Sequence, residues 1–318
     1  MKKNMIALMM LFSICIVLTA GCVDEQNSSA GISDSDSGGM IVAVSVLPQA
    51  EFVEKIAGDS VKVIVMVPPG ADPHSYEPTP GQLRDLSNAK LYAMVGSGIT
   101  IEDNMIGKIA DLNPEMVIID CSEGITMSEM EAHAHEDEDE HDVEDEHDAE
   151  DEHGEETGMD PHIWTSPANV KLMVENIYGG LVELDPENEA TYFENKNAYL
   201  AELDALDEQI KTTLSGKEGS SFMVYHPAWG YFAEHYGLVQ VPVELEGKEP
   251  SVRDMQNIID EANEKNIKVI FVQSGFSTVS ASAIANEIGG EVVEVDPLAK
   301  DYIDNLAKVA EAFEKGLA

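Results

Sequence analysis

The sequence predicts an α/β fold: two βα lobes with parallel sheets, joined by one long rigid helix. Three observations carry that reading. Short β-branched runs alternate with helically spaced segments in the N-terminal part of the chain. The same alternation resumes in the C-terminal part, and a sustained helical pattern over residues 186–216 separates the two. Strands that alternate with helices pair in parallel, because a parallel neighbour is reached through a helical crossover.

The elements follow in order. Residues 41–47 are apolar and β-branched, 49–57 have helical spacing and stop at Gly58, and 61–67 alternate until Pro68-Pro69-Gly70. A helix is expected over 82–89, strands over 91–95 and 116–119, and a helix over 102–111 between those strands. Residues 167–184 read as one helix with Val170, Met173, Val174, Ile177 and Leu181 on a shared face. Pro186 suits the first turn of the next helix, which runs through Tyr192, Tyr199, Leu203, Leu206 and Ile210 to Gly216. At 1.5 Å per residue it spans roughly 42 Å, the breadth of a lobe or more. Strands are then expected over 222–225, 239–243, 269–272 and 292–295, and helices over 229–236, 251–264, 279–288 and 302–317. Ser251 and Asp254 are spaced for a capping box. Ligands of such sheets bind outside the carboxyl ends of the strands.

The N-terminus addresses the chain. Lys2 and Lys3 precede an uncharged apolar stretch, residues 5–18, that is short for a membrane span and suits a signal-peptide core. It ends in Leu18-Thr19-Ala20-Gly21-Cys22, small residues before a cysteine, as a lipoprotein signal does. Residues 1–21 are therefore expected to leave, with Cys22 lipidated and the protein tethered to the outer face of the cytoplasmic membrane or in the periplasm. Residues 22–39, rich in Ser, Gly, Asp and Asn, read as a flexible tether. Cys121 is then the one remaining thiol, so no intramolecular disulfide forms. The folded part divides into an N-terminal lobe (40–185), the linking helix (186–216) and a C-terminal lobe (217–318). A formal charge of −43 argues against nucleic acid as a partner and favours cations.

Residues 131–157 interrupt the first lobe. They hold His133, His135, His141, His147 and His153 among sixteen carboxylates, with no Lys or Arg, and Asp-Glu-His recurs every six residues. So many like charges repel, and the insert is expected to be disordered without a counter-ion. Carboxylates alone would make a solvated loop. The regular histidines point to loose capture of several metal ions, since imidazole suits zinc, copper and nickel.

Four histidines lie outside the insert. His74 follows Asp72-Pro73, His162 follows Asp160-Pro161, and His226 precedes Pro227, all in loops beyond expected strands or beside the insert. Proline stiffens such loops, so an imidazole loses little entropy on binding. His235 falls inside a helix and reads as structural. Asp296, at the end of the last strand, is a fourth candidate. Three imidazoles and one carboxylate suit a closed tetrahedral zinc site with no position left open for catalysis. A zinc hydrolase would need such a position and a base, and no His-Glu-x-x-His motif occurs.

These segments resemble a known family. Gly70-Ala71-Asp72-Pro73-His74-Ser75-Tyr76-Glu77-Pro78, Asp160-Pro161-His162-Ile163-Trp164, His226-Pro227-Ala228-Trp229-Gly230-Tyr231 and Val295-Asp296-Pro297-Leu298 are similar, in order, to the ligand motifs of the zinc and manganese solute-binding proteins of ABC importers. The resemblance covers residues 40–318. It implies two similar lobes bridged by one rigid helix, a metal held in the cleft between them, and a membrane permease with its ATPase as partners. A monomer with no enzymatic activity is expected. His226 stands where manganese-type members tend to carry a carboxylate, and the acidic His-rich insert is typical of zinc members, so Zn²⁺ is the expected cargo and Mn²⁺ the alternative. Some zinc members complete the site with water or another acidic residue, and the resemblance leaves open whether Asp296 or such a group does so here. A metal-buffering or adhesion lipoprotein would have the same site chemistry.

Overall fold

The computed structural model describes residues 39–130, 158–244, 248–274 and 278–317. The expected signal segment, Cys22, residues 22–38 of the expected tether and residues 131–157 with their five histidines lie outside them.

The first lobe begins with β1 (Met40–Val44), α1 (Pro48–Ala57) and β2 (Val61–Val65), followed by α2 (Pro80–Leu86), β3 (Leu91–Met94), α3 (Thr100–Leu112) and β4 (Val117–Asp120). Its four strands pair in parallel in the order β2-β1-β3-β4. α4 (Pro167–Leu184) covers that sheet and α5 (Glu189–Thr213) follows it. The second lobe repeats the plan with β5 (Ser221–Val224), α6 (Gly230–Tyr236), β6 (Val239–Pro242), α7 (Val252–Glu264), β7 (Val269–Gln273), α8 (Val279–Ile288), β8 (Glu291–Val295) and α9 (Tyr302–Gly316). Its order, β6-β5-β7-β8, is the same topology, again all parallel. In each sheet the strand order reverses beside the first strand, and such a reversal opens a crevice at the carboxyl ends.

Alternation along the strands sorts side chains between layers. Phe222, Val224, Val269 and Phe271 face an apolar core that runs on into the first lobe. Met223, Tyr225, Ile270 and Val272 face a second core under α7 and α8. Tyr192, Tyr199, Leu203, Leu206 and Ile210 form the buried stripe of α5, which packs on α1 and α4 of one lobe and α9 of the other. Glu51 of α1 ties the three together: its carboxylate accepts from Tyr199 Oη at 2.9 Å and from the Tyr302 backbone N–H, at the start of α9, at 2.7 Å. Among the described residues no helix is long and apolar enough to cross a membrane.

Among the boundaries that differ from expectation, two have a hydrogen-bonded cause. Pro186–Asn188 form a separate 3₁₀ turn, and the α-helix starts at Glu189. Asp185 causes the break: its carbonyl accepts from Asn188 N–H, and its carboxylate binds Asn188 Nδ2 and Tyr192 Oη, so the chain is capped before it can wind. The 25-residue helix is therefore about 38 Å long. α2 begins at Pro80 because Thr79 and Gln82 form a capping box that fixes its first turn. The expected box of Ser251 and Asp254 forms at α7.

Candidate metal centre

Each candidate histidine is set by local hydrogen bonds. His74 lies between β2 and α2 in a turn built by Asp72. Asp72 Oδ1 accepts the His74 N–H at 2.9 Å, Oδ2 accepts Ser75 Oγ at 2.7 Å, and the carbonyl accepts Tyr76 N–H at 3.0 Å. Gln82 anchors the same loop from α2, accepting from Tyr76 Oη and donating to the Met66 carbonyl.

His162 is 2% exposed. Asp160 Oδ1 accepts both its backbone N–H (2.9 Å) and its ring Nδ1–H (2.8 Å). Ser97 Oγ donates to the Pro161 carbonyl at 2.5 Å, and Thr165 closes a 3₁₀ turn onto the His162 carbonyl. Trp164 Nε1 crosses to the second lobe and donates to the Pro297 carbonyl at 2.8 Å. His226 follows β5. Ala228 N–H bonds back to its carbonyl at 2.8 Å, and Glu244 Oε1 faces its Nδ1 at 3.2 Å.

The three rings meet. His74 Nε2 lies 3.1 Å from His162 Nε2, and His226 Nε2 lies 3.2 Å from the same atom. Ring centroids are 5.1, 5.2 and 5.1 Å apart, a nearly equilateral triangle. A carboxylate only accepts, so Asp160 and Glu244 fix the protons of neutral His162 and His226 on Nδ1. The Nε2 lone pairs of His162 and His226 then face one another at 3.2 Å, with His74 Nε2 beside them, which is unfavourable until a cation lies between them. Burial, reinforced by the neighbouring imidazoles, pushes the His74 pKa down to about 4, and burial lowers that of His162 as well, so a proton is a poor occupant at neutral pH. Two nitrogens on one tetrahedral zinc, with bonds of about 2.0–2.1 Å, stand about 3.3–3.4 Å apart. The observed spacings fit within a few tenths of an ångström. Among the described residues this is the group of His, Cys, Asp or Glu atoms spaced to hold a metal ion. The cavity at the rings is about 10 Å³, room for one ion or one water, and Asp72, Trp164, Gln273, Pro297 and Leu298 also line it.

Asp296 is not brought into this cluster. Its Oδ1 accepts the Leu298 N–H at 2.8 Å and its carbonyl accepts Asn305 Nδ2 at 2.7 Å, so it shapes the loop whose next residues, Pro297 and Leu298, line the cavity. His235 bonds Asp207 of α5 at 2.8 Å, as a structural histidine would. Sequence reasoning missed Glu244. It sits in an acidic stretch after β6 with no motif around it, and only the fold brings it behind His226.

Residues 42–316 match the family described as the periplasmic zinc-uptake complex component A. The high-affinity zinc uptake system protein ZnuA of Bacillus subtilis is 31% identical over 294 residues, covering 91% of this chain and 87% of that protein. The manganese-binding lipoprotein MntA of Halalkalibacterium halodurans is 25% identical over the full length of both. A crystal structure of ZnuA superposes with a TM-score of 0.77 at 41% identity, covering 87% of this chain and 99% of the other. A ZnuA deletion mutant with zinc bound gives 0.76 at 40% identity, covering 87% and 98%.

Proposed function

Since the chain belongs to the zinc-uptake component A family of periplasmic metal-binding proteins, we propose that it captures Zn²⁺ outside the cytoplasmic membrane and passes it to a permease driven by a cytoplasmic ATPase. The observation that carries the reading is the meeting of three Nε2 atoms, from loops of both lobes, at the spacing zinc requires. His74, His162 and His226 are the proposed ligands. The fourth position falls to water, or to Asp296 once its carboxylate leaves the Leu298 amide. Zinc is cargo here, so a site of neutral imidazoles must both hold and release it. Manganese is the second reading, supported by the likeness to a manganese-binding lipoprotein. The donors favour zinc as main cargo, because manganese prefers oxygen ligands and zinc readily takes three imidazoles.

The lipoprotein signal supports a lipid anchor at Cys22, and the composition of residues 131–157 supports loose pre-capture of metal beside the cleft. The transport role is served without any catalytic group, so no enzymatic activity is proposed. Calorimetric titration with Zn²⁺ and Mn²⁺ tests the reading. One tight zinc site that disappears in His226→Ala, with manganese much weaker, is the expected result. A tight site that survives that substitution, or vanishes only when residues 131–157 are deleted, would place the cargo elsewhere.

A further inference from the structure

We infer that Tyr231 is a positioning residue for the metal centre: its hydroxyl, carried on the same short segment as His226, grips the loop of His162 and so sets the distance between those two rings. The inference rests on the metal-binding reading above.

His226 and Tyr231 belong to one stiff stretch. The Ala228 N–H bonds to the His226 carbonyl at 2.8 Å, Gln240 Oε1 holds the Trp229 N–H at 2.8 Å, and α6 begins at Gly230. The Tyr231 hydroxyl reaches across to the other lobe. It donates to the Asp160 carbonyl at 2.9 Å and accepts from the Ser128 N–H at 3.1 Å. Ser128 and Asp160 are themselves paired, Asp160 N–H to Ser128 carbonyl at 2.8 Å, beside the antiparallel bridge of Glu129 and Met159. One helical turn on, Glu234 Oε2 accepts from Ser128 Oγ at 3.0 Å. Gly230 completes the grip, because a Cβ there would strike the Asp160 carboxylate.

Asp160 is thus held by the second lobe through its carbonyl, while its Oδ1 holds the His162 ring at 2.8 Å. Two hydrogen bonds in series run from Tyr231 Oη through Asp160 to His162, whose Nε2 ends 3.2 Å from His226 Nε2. This path spans the seam between lobes and closes on the metal position. A metal site tolerates errors of only about 0.2 Å in its bond lengths. Loss of the hydroxyl frees the His162 loop along the direction that sets the spacing.

The test is Tyr231→Phe, which keeps the ring and removes the two hydrogen bonds. Zinc affinity by chelator competition and the visible spectrum of the Co²⁺-loaded protein are compared with the parent and with His162→Ala. The d–d bands of Co²⁺ report ligand geometry, which a general loss of stability does not change. The expected result is zinc binding weakened roughly tenfold, the lower end for groups that orient metal-bound histidines, together with an altered Co²⁺ spectrum. Parent-like affinity would overturn the inference. So would weakened affinity with a parent-like spectrum, since Tyr231 would then serve only stability. If Tyr231→Phe does not fold, Gly230→Ala displaces Asp160 from the same side and carries the same spectral test with the same outcomes. If His162→Ala binds zinc like the parent, the metal-centre reading itself fails, and that result stands apart from any behaviour of Tyr231.

Discussion

Asp160→Asn separates charge from geometry at the buried end of the site. Asp160 Oδ1 accepts two N–H groups of His162, and the two side chains are only 4% and 3% exposed. An asparagine oxygen accepts the same two bonds, so the ring stays in place and only the negative charge is lost. Hydrogen bonds to charged groups contribute about 1.5–3 kcal/mol net, and those between neutral groups about 0.5–1.5 kcal/mol. The difference, about 1–1.5 kcal/mol, corresponds to a roughly tenfold loss of zinc affinity. Asp160→Ala removes the acceptor as well. The ring then loses the partner that fixes its tautomer, and the loss moves to the upper end of the roughly 10–100-fold range for such groups. Competition against a chromophoric chelator at neutral pH measures both. Equal affinities for parent and Asn variant, or equal losses for Asn and Ala, would refute the claim that the carboxylate acts by charge and by orientation separately.

The buried Glu102 gives a pH prediction: burial raises its pKa from 4.5 to about 7, against hydrogen bonds from Ser45, Val95 and Gly96 that pull it down. The native chain therefore holds a proton that the unfolded chain releases near 4.5, so this group's contribution is most favourable below that pH, falls as pH rises toward 7 and is level above, by roughly 3 kcal/mol in all. Urea unfolding at pH 5 and 7 should show a smaller pH difference in Glu102→Gln, and an unchanged difference would contradict the assignment. Asp296→Ala should cost less zinc affinity than any of the three histidine-to-alanine changes, because its carboxylate serves Leu298; a loss as large as that of His162→Ala in the same titration would make it a ligand. Leu203→Ala, on the buried face of α5, should destabilise the fold by about 2–5 kcal/mol while leaving zinc affinity nearly unchanged, as calorimetric melting and titration of the same sample will show.

Much of this was legible in the sequence for physical reasons. The strands of both lobes are short β-branched runs bounded by Gly and Pro, and their period of two sorts Phe222 and Phe271 from Met223 and Ile270. The stripe of α5 from Tyr192 to Ile210 keeps its spacing through the helix. The three histidines announced themselves through the prolines beside them. What failed depends on hydrogen bonds between side chain and backbone. The Asp185 cap that delays α5 looks like any Asp before Pro, and the Thr79–Gln82 box has the spacing of Ser251–Asp254 but closes on an amide rather than a carboxylate. Glu244 and Tyr231 were invisible as partners of His226 and Asp160, because the first pairing forms only when β6 lies beside β5 and the second only when the two lobes meet.

The arrangement also explains how a site of neutral ligands can hold a dication away from water. Burying an uncompensated ion costs several kcal/mol even after relaxation. Asp160 and Glu244 stand behind two of the imidazoles, one ring away from the point where the Nε2 atoms converge. Both carboxylates lie behind the rings and offset charge on a bound ion without themselves offering it an oxygen. The three ring donors proposed for the ion are all nitrogen, which disfavours manganese and magnesium. His162 forms the buried floor, and His74 and His226 are only partly covered. Selectivity and charge balance are thus assigned to different residues, and a fourth carboxylate ligand such as Asp296 is not required for either.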